Sequence, residues 1–403
     1  MASPGRILHL SENLPLPFDR RVWMELNALR AGGWEVSAIC PMGDDWTAPY
    51  EVIDGIHIWR YPPPPPAMGF LSYAWEFLYC FLQTARLSLR VLARRGFDVI
   101  HAANPPDTFW ALAAFYKWFG RRYVFDHHDL CPELYLSRFG PGRAGSLPHR
   151  LLQQLERAQF RTADLVISTN QSYREIAITR GHVPPERVFV VRSGPSRERF
   201  ATLRPVDEAL KRGCRHLVAY LGVMAPQDGV DHLLRAARVL ADRGREGVAY
   251  TLIGAGDSFE ELKAMARELG LAGAVEFTGR IPDEQVERIL ATADVCVTPD
   301  PKNPLNDVST MNKVLEYMAC GRPIVAYDLR EHRYSAGEGA LYAEPNREDR
   351  LADAIAELLD DPARRERMGA YNRKRFLEAM AWEYSAGELL RAYGTLCGPK
   401  RNA

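Results

Sequence analysis

The sequence predicts an α/β protein built as two similar halves. Its 403 residues are too many for one ordinary core. Short β-branched runs alternate with amphipathic helical patterns, the order expected of parallel strands joined by helical crossovers. A polar segment at 193–215, with Gly194, Pro195, Pro205 and a cluster of charges, interrupts that rhythm before it restarts.

In the first half, strands are predicted at 6–10, 35–40, 56–60, 99–102, 123–126, 165–168 and 188–191. Helical periodicity runs through 18–31, 71–94, 108–119, 147–161 and 172–179. Gly32-Gly33 and Gly120 stand where two of these helices should stop. Pro62–Pro66 form a stiff extended lead into the segment 68–94. In the second half, strands are predicted at 216–221, 249–253, 275–278, 295–298 and 324–327. Helices fall at 231–243, 259–269, 283–292, from about Ser309 onward, and 350–359. Residues 362–396 read as a helical tail with a break near Trp382.

Lys+Arg and Asp+Glu balance at 51 each, so no nucleic-acid partner is indicated, although Arg20-Arg21, Arg94-Arg95 and Arg121-Arg122 are locally basic. Seven cysteines, an odd number without a Cys-x-x-Cys, fit buried thiols in a reducing compartment better than a disulfide framework or zinc site. The first residues lack the apolar core of a signal peptide, and no run of about twenty apolar residues offers a membrane span. The expected location is cytoplasmic, with the inner face of a membrane as an option. Phe70, Leu71, Tyr73, Trp75, Phe77, Leu78, Tyr79, Phe81 and Leu82, followed by Arg86, Arg90, Arg94 and Arg95, suit either a core helix or a peripheral membrane contact through 68–94.

Residues 300–326 carry the densest chemistry: D-P-K-N-P-L-N-D-V-S-T-M-N-K-V-L-E-Y-M-A-C-G-R-P-I-V-A. They read as a strand end, a polar loop, a helix start, a Gly-Arg-Pro turn and a second strand. Ser309 and Thr310 are favoured N-cap residues. The free amides of Ser309, Thr310, Met311 and Asn312, at the positive end of a helix, would bind an anion. Lys313 lies in the first turn, and Glu316 sits one turn further on the same face. Phosphates on the amides and Lys313, with ribose hydroxyls on Glu316, would hold a nucleotide sugar. The alternative is an ordinary capped helix packed by Val314, Leu315, Tyr317 and Met318.

This segment resembles the donor motif of the retaining GT4 glycosyltransferases, and the resemblance extends from I-L-H-L at Ile7 to W-E-Y-S at Trp382. The variant S-T-M-N-K-x-x-E is similar to that of a subfamily engaged in polysaccharide assembly. The resemblance implies a GT-B fold of two facing Rossmann-like domains with a central cleft: 1–195 on the acceptor side, 196–380 for the nucleotide sugar, and a 381–403 tail packing back on the first. It implies a metal-independent transferase with no cofactor beyond its donor, a UDP-sugar by default, and a glycan or polyprenyl-linked acceptor.

V-F-D-H-H-D-L at 124–130 resembles the family segment whose histidine approaches the donor sugar, so His128, flanked by His127 and Asp129, is the expected sugar-orienting or proton-relaying group, as a neutral imidazole. A metal site at His127, His128 and Asp129 is not expected, because no matching His/Cys spacing follows. By resemblance, Asn13, Asp19, Arg20 and Arg21 face the acceptor, although Pro15, Pro17 and Phe18 replace the usual Gly-Gly pair of that loop. Gly222, Gln227 and Gly254 fall in the nucleotide-domain loops, and Arg280 and Ile281 would meet the base.

Two departures stand out. Glu316 matches the second of the family's paired glutamates, but Val308 stands at the first, leaving Asp307 or Asp300 to substitute. Val223 and Asp228 occupy the positions of an Arg and Lys that usually hold the diphosphate. Rival expectations are a sugar-nucleotide epimerase on the same plan and a non-catalytic nucleotide-sugar-binding or scaffold subunit.

Overall fold

The computed structural model describes residues 4–64 and 70–396, and the side chains of 70–74 lie outside the described set. Two units emerge: 1–192 with 385–403, and 193–384. Hence Pro65, Pro66 and Met68, the side chains of Phe70, Leu71 and Tyr73, and Cys397 fall outside the description.

The first unit runs β1 (Arg6–Leu10), α1 (Arg20–Ala31), β2 (Glu35–Pro41), β3 (Tyr50–Ile53), β4 (Ile56–Tyr61), α2 (Phe70–Arg94), β5 (Val99–Ala103), α3 (Trp110–Lys117), β6 (Arg122–His127), α4 (Cys131–Phe139), α5 (Leu147–Thr162), β7 (Leu165–Ser168), α6 (Gln171–Thr179) and β8 (Val188–Val190). Its eight strands lie in the order β3-β4-β2-β1-β5-β6-β7-β8. All pairs are parallel except β3 with β4, a short antiparallel edge that sequence periodicity did not reveal. The near-continuous apolar strands, such as buried Val124, Phe125, Val166 and Ile167, are what a sheet covered on both faces requires.

The second unit runs β9 (His216–Leu221), α7 (Val230–Asp242), β10 (Val248–Ile253), α8 (Phe259–Glu268), β11 (Val275–Gly279), α9 (Asp283–Thr292), β12 (Val295–Thr298), α10 (Asn312–Ala319), β13 (Ile324–Tyr327), α11 (Arg330–Ala336), β14 (Ala340–Ala343), α12 (Glu348–Asp360) and α13 (Pro362–Arg375). Its six parallel strands lie in the order β11-β10-β9-β12-β13-β14. The chain works outward from β9 to β11, then returns to the other side of β9 with β12. A π-helical turn at Phe376–Met380 breaks the tail, and α14 (Trp382–Leu396) follows. From Ser385 onward α14 belongs to the first unit, where the Tyr393 hydroxyl meets His101 Nδ1 at 2.7 Å.

The segment 193–215, expected as a linker, is folded onto the second unit. Phe200 is buried beside Phe376, and Arg197 donates to the Leu377 carbonyl at 2.7 Å. Among the described residues no helix is long and apolar enough to cross a membrane. Even so, α2 leaves Trp75, Leu78, Leu82 and Leu89 exposed on one side, while Cys80, Leu87 and Val91 are buried on the other. Phe115, Trp118 and Phe119, at the end of neighbouring α3, are exposed as well. The two helices touch through Ser88 and Tyr116, whose hydroxyls are 2.8 Å apart.

Candidate active site

In an open parallel sheet, loops leaving neighbouring strands in opposite directions open a crevice at the strand C-termini. In the second unit this place lies between β9 and β12. Gly222 follows β9, and Asp300 follows β12. The loops there approach too closely for side chains: a Cβ on Gly254 would collide with the Gly222 carbonyl oxygen, and one on Gly229 with the Pro299 carbonyl. Gly229 also sits at φ 66°, where glycine carries no steric cost.

Lys313 of α10 enters this place, buried but for 8 %. Its Nζ lies 2.8 Å from Asp300 Oδ1, 3.3 Å from the Tyr220 hydroxyl and 3.6 Å from Asp228 Oδ1. It also stands 4.8 Å from the centre of the Tyr220 ring, a cation–π position. Asp300 is fully buried, and its other oxygen accepts from Thr298, with His332 Nε2 3.9 Å away. Burial pushes the Asp228 carboxyl up to about 6, despite the opposing pull of Lys313. Lys313 is therefore no free counter-ion: two carboxylates already face it. The position read as a lost cation, Asp228, is an acid turned toward Lys313.

The helix start also differs from expectation. Ser309 and Thr310 do not cap α10: the helix begins at Asn312, and Met311 is its N-cap without a side-chain bond. Ser309 instead donates to the Leu305 carbonyl at 2.7 Å, closing the 3₁₀ turn Asn306–Val308. Asp307 is engaged by the Arg330 amide at 3.1 Å and by Lys302 at 3.3 Å. Of the two acids weighed as replacements for the missing glutamate, Asp300 is the one beside Lys313. Glu316 is partly exposed and lies 3.7 Å from Arg199, which also meets Glu287 at 3.2 Å and Asp283 at 3.7 Å. The Gln227 carbonyl accepts from Asn306 at 2.9 Å, and Gly254 bridges to Gly279. Arg280 is exposed and Ile281 half-buried.

In the first unit the corresponding place lies where β1 and β5 separate, next to the end of β6. Asp126 is fully buried there. Arg21 grips it as a fork, Nη2 on Oδ1 at 2.8 Å and Nε on Oδ2 at 3.4 Å, while His128 Nδ1 is 3.1 Å from Oδ2. Arg21 also meets Glu25 at 2.9 Å, one turn along α1, and donates to the Val191 carbonyl at 3.0 Å. The His128 and Asp129 amides both donate to Asn104 Oδ1 at 3.0 Å, which locks the loop after β6.

Burial alone would lower the His128 pKa, but the charge and hydrogen bond of Asp126, aided by Asp129, raise it to about 9. The expectation of a neutral imidazole is corrected: His128 is an imidazolium at neutral pH. Burial pushes Glu25 up to about 8 against the pull of Arg21, so it carries a proton. Burial also lowers His101, to about 4, so that ring is neutral. Glu25, His101 and Asp126 could together reach a metal ion, but the guanidinium of Arg21 already contacts both acids.

His127 is withdrawn from the catalytic set. Its ring is fully buried, edge-on to Phe160 at 4.9 Å and 3.8 Å from Glu156. Alternation along β6 explains this, since neighbouring residues of a strand point to opposite faces. Asp19 is the N-cap of α1, accepting from the Val22 amide at 3.1 Å. Arg20 and Asn13 are exposed, while Arg21 turns inward. Sequence reasoning missed Glu25, His101, Asn104 and Tyr393 in this unit, and Tyr220, His332 and Arg199 in the other. Only the i,i+4 spacing of Arg21 and Glu25 was a readable signal.

Comparison with known proteins finds glycosyltransferases along both halves of the chain. The family model described as "Glycosyl transferase 4-like domain" matches residues 19–194, and that described as "Glycosyl transferases group 1" matches 207–375. An alpha-maltose-1-phosphate synthase of Mycolicibacterium smegmatis is 29% identical over 303 residues, 68% of this chain and 73% of that one. A GDP-mannose-dependent alpha-(1-6)-phosphatidylinositol monomannoside mannosyltransferase of the same organism is 32% identical over 212 residues, 52% of this chain and 54% of its own. The solved sucrose-phosphate synthase of Thermosynechococcus elongatus superposes with a TM-score of 0.76 at 20% identity, covering 97% of this chain and 98% of that one. With glycosyltransferase family models matched in both halves and two parallel-sheet units of the GT-B type, the chain is a glycosyltransferase of GT-B fold.

Proposed function

We propose that this glycosyltransferase transfers a sugar from a nucleotide-diphosphate donor without a metal ion and with retention of anomeric configuration. The observation that carries this is the Lys313 centre, a buried ammonium held by Asp300 and Tyr220 at the strand-order reversal of the second unit. An ammonium fixed before the reaction stabilises a leaving diphosphate without reorganisation once Asp228 is protonated and the centre carries no net negative charge. Lys313 and the amides of Thr310, Met311 and Asn312 take the phosphates, the Ser309 amide being withdrawn because it already donates to the Asn306 carbonyl at 3.2 Å. Glu316 takes the ribose, and Arg280 and Ile281 take the base. His128, as a cationic N–H donor, meets the sugar or the departing oxygen, with Asp129 beside it. Asn13 and Arg20 serve the acceptor; Arg21 acts from within. No Asp-x-Asp occurs in the sequence to carry a metal–diphosphate bridge.

UDP is the base favoured by the family resemblance, and GDP is the alternative raised by the mannosyltransferase relative. A glycan or polyprenyl-linked acceptor is proposed, the second bringing the exposed side of α2 to a membrane surface. The test is thermal unfolding with UDP, GDP, ADP and CMP in the presence of a chelator. A nucleotide at about one hundred times its Kd adds about 2.7 kcal/mol, several degrees in Tm. Selective stabilisation by one base supports the proposal. No shift with any of the four supports the non-catalytic alternative, and donor turnover without an acceptor would favour an epimerase if the product were an isomeric nucleotide sugar.

A further inference from the structure

We propose that Arg21, Glu25, His101 and Tyr393 are positioning residues for His128, a buried chain of polar side chains that holds Asp126 in one orientation and so fixes which nitrogen of His128 faces outward. This inference takes His128 to be the group of the first unit that meets substrate.

The chain can be followed atom by atom. Asp126 needs compensation, because a fully buried carboxylate left unpaired is costly. The fork of Arg21 supplies it and sets the plane of the carboxylate, leaving Oδ2 for His128 Nδ1 at 3.1 Å. Arg21 cannot swing away, since Glu25 and the Val191 carbonyl hold its two Nη atoms. Glu25 is itself fully buried, with its Oε2 3.6 Å from His101 Nε2. On the far side of that ring, the Tyr393 hydroxyl is 2.7 Å from Nδ1.

A buried neutral imidazole carries one proton. We take Tyr393 as the donor to Nδ1, which places that proton on Nε2, 3.6 Å from Glu25 Oε2 and 4.0 Å from Asp126 Oδ2, close to both but bonded to neither. Tyr393 thus sets the His101 tautomer, and His101 sets the environment of the Glu25 carboxyl and the Asp126 carboxylate. His128 is the last link: its ring is 16 % exposed, and its Nε2 makes no hydrogen bond among the described residues. With Nδ1 held by Asp126, Nε2–H is the donor left for a ligand. Tyr393 reaches this chain from α14, so the tail helix contributes chemistry to the first unit as well as packing.

The test is a pH titration of the histidine rings in the full-length chain by long-range ¹H–¹⁵N correlation, with His128→Gln and His101→Gln assigning the two signals. The expected wild-type result is a His128 midpoint of about 9 and a His101 ring protonated on Nε2. Asp126→Asn should lower the His128 midpoint by about two pH units. Tyr393→Phe should move the His101 proton to Nδ1 and shift the His128 midpoint by about half a unit. Arg391→Ala, an exposed change on the same helix, should move neither. If Tyr393→Phe lowers Tm but leaves both the tautomer and the midpoint unchanged, Tyr393 is a packing residue and the inference is wrong. A wild-type His128 midpoint near 6.5 would overturn it at the first step. No donor is present in the titration, so a failure here is separate from a failure of nucleotide binding.

Discussion

On the proposed reading, Asp228 sets how readily the Lys313 centre accepts a diphosphate. Above its pKa of about 6, Asp228, Asp300 and Lys313 sum to one negative charge; below it, they sum to zero. The diphosphate of a nucleotide sugar keeps its charge of about −2 across this range, so the pH dependence comes from the protein. If the donor binds only with Asp228 neutral, its Kd rises as 1 + 10^(pH − 6). That is about 33-fold at pH 7.5, or about 2 kcal/mol, and little at pH 5.5. Asp228→Asn removes the charge and keeps an oxygen for the Ala225 amide, which Asp228 now accepts at 3.2 Å. The variant should bind donor at pH 7.5 about as tightly as the wild type does at pH 5.5. Isothermal titration with UDP-glucose and GDP-mannose, from pH 5.5 to 7.5, measures this. A wild-type Kd that stays flat with pH, or an Asn variant that binds more weakly, would refute the charge argument.

Four further outcomes are expected. Lys313→Ala should abolish turnover and also destabilise the fold by about 3–5 kcal/mol, because Asp300 is left buried without its cation; adding Asp300→Asn should recover most of the stability but none of the activity, as urea unfolding and a nucleotide-release assay would show. Glu316→Ala should weaken nucleotide binding by about 2–4 kcal/mol if its hydrogen bonds to the ligand are buried, and an unchanged Kd removes Glu316 from the site. His128, raised from 6.5 to about 9 in the folded state, contributes stability that is complete below pH 6.5 and lost as pH rises through 9. The loss is about 3 kcal/mol, so urea unfolding at pH 6 and pH 10 should separate wild type from His128→Asn by that difference. The exposed row Trp75, Leu78, Leu82 and Leu89, next to Phe115, Trp118 and Phe119, should bind vesicles containing anionic lipid; Leu82→Glu with Leu89→Glu should lose that binding at unchanged Tm, and an equal response to neutral vesicles would remove the role of the arginines.

The alternating plan of both units was legible because helical and strand periodicities are strong in buried elements such as β9, α7 and β12. The short edge β3 was not, since half-exposed Tyr50–Ile53 carry little pattern. Helix α4 escaped notice because Cys131–Phe139 buries only Pro132, leaving no apolar stripe. Lys313 and Glu316 stood out by helical spacing, and His128 by its place after a strand. What those side chains touch was not readable, because Asp300, Asp228 and Tyr220 come from separate loops and strands. The same holds for Tyr393, which lies 292 residues from His101. Ser309 and Thr310 misled because local cap preference was overridden by the turn that Ser309 closes with Leu305.

The most direct test of the central claim is release of nucleotide diphosphate from a panel of UDP- and GDP-sugars in a chelator, with water as the slow acceptor, by wild type and by the Lys313→Ala, Asp300→Asn pair. The account predicts slow release from one donor by the wild type, retained α-configuration in the freed sugar at early times by NMR, and none from the pair. Release that requires a divalent metal, or that persists without Lys313, would contradict it.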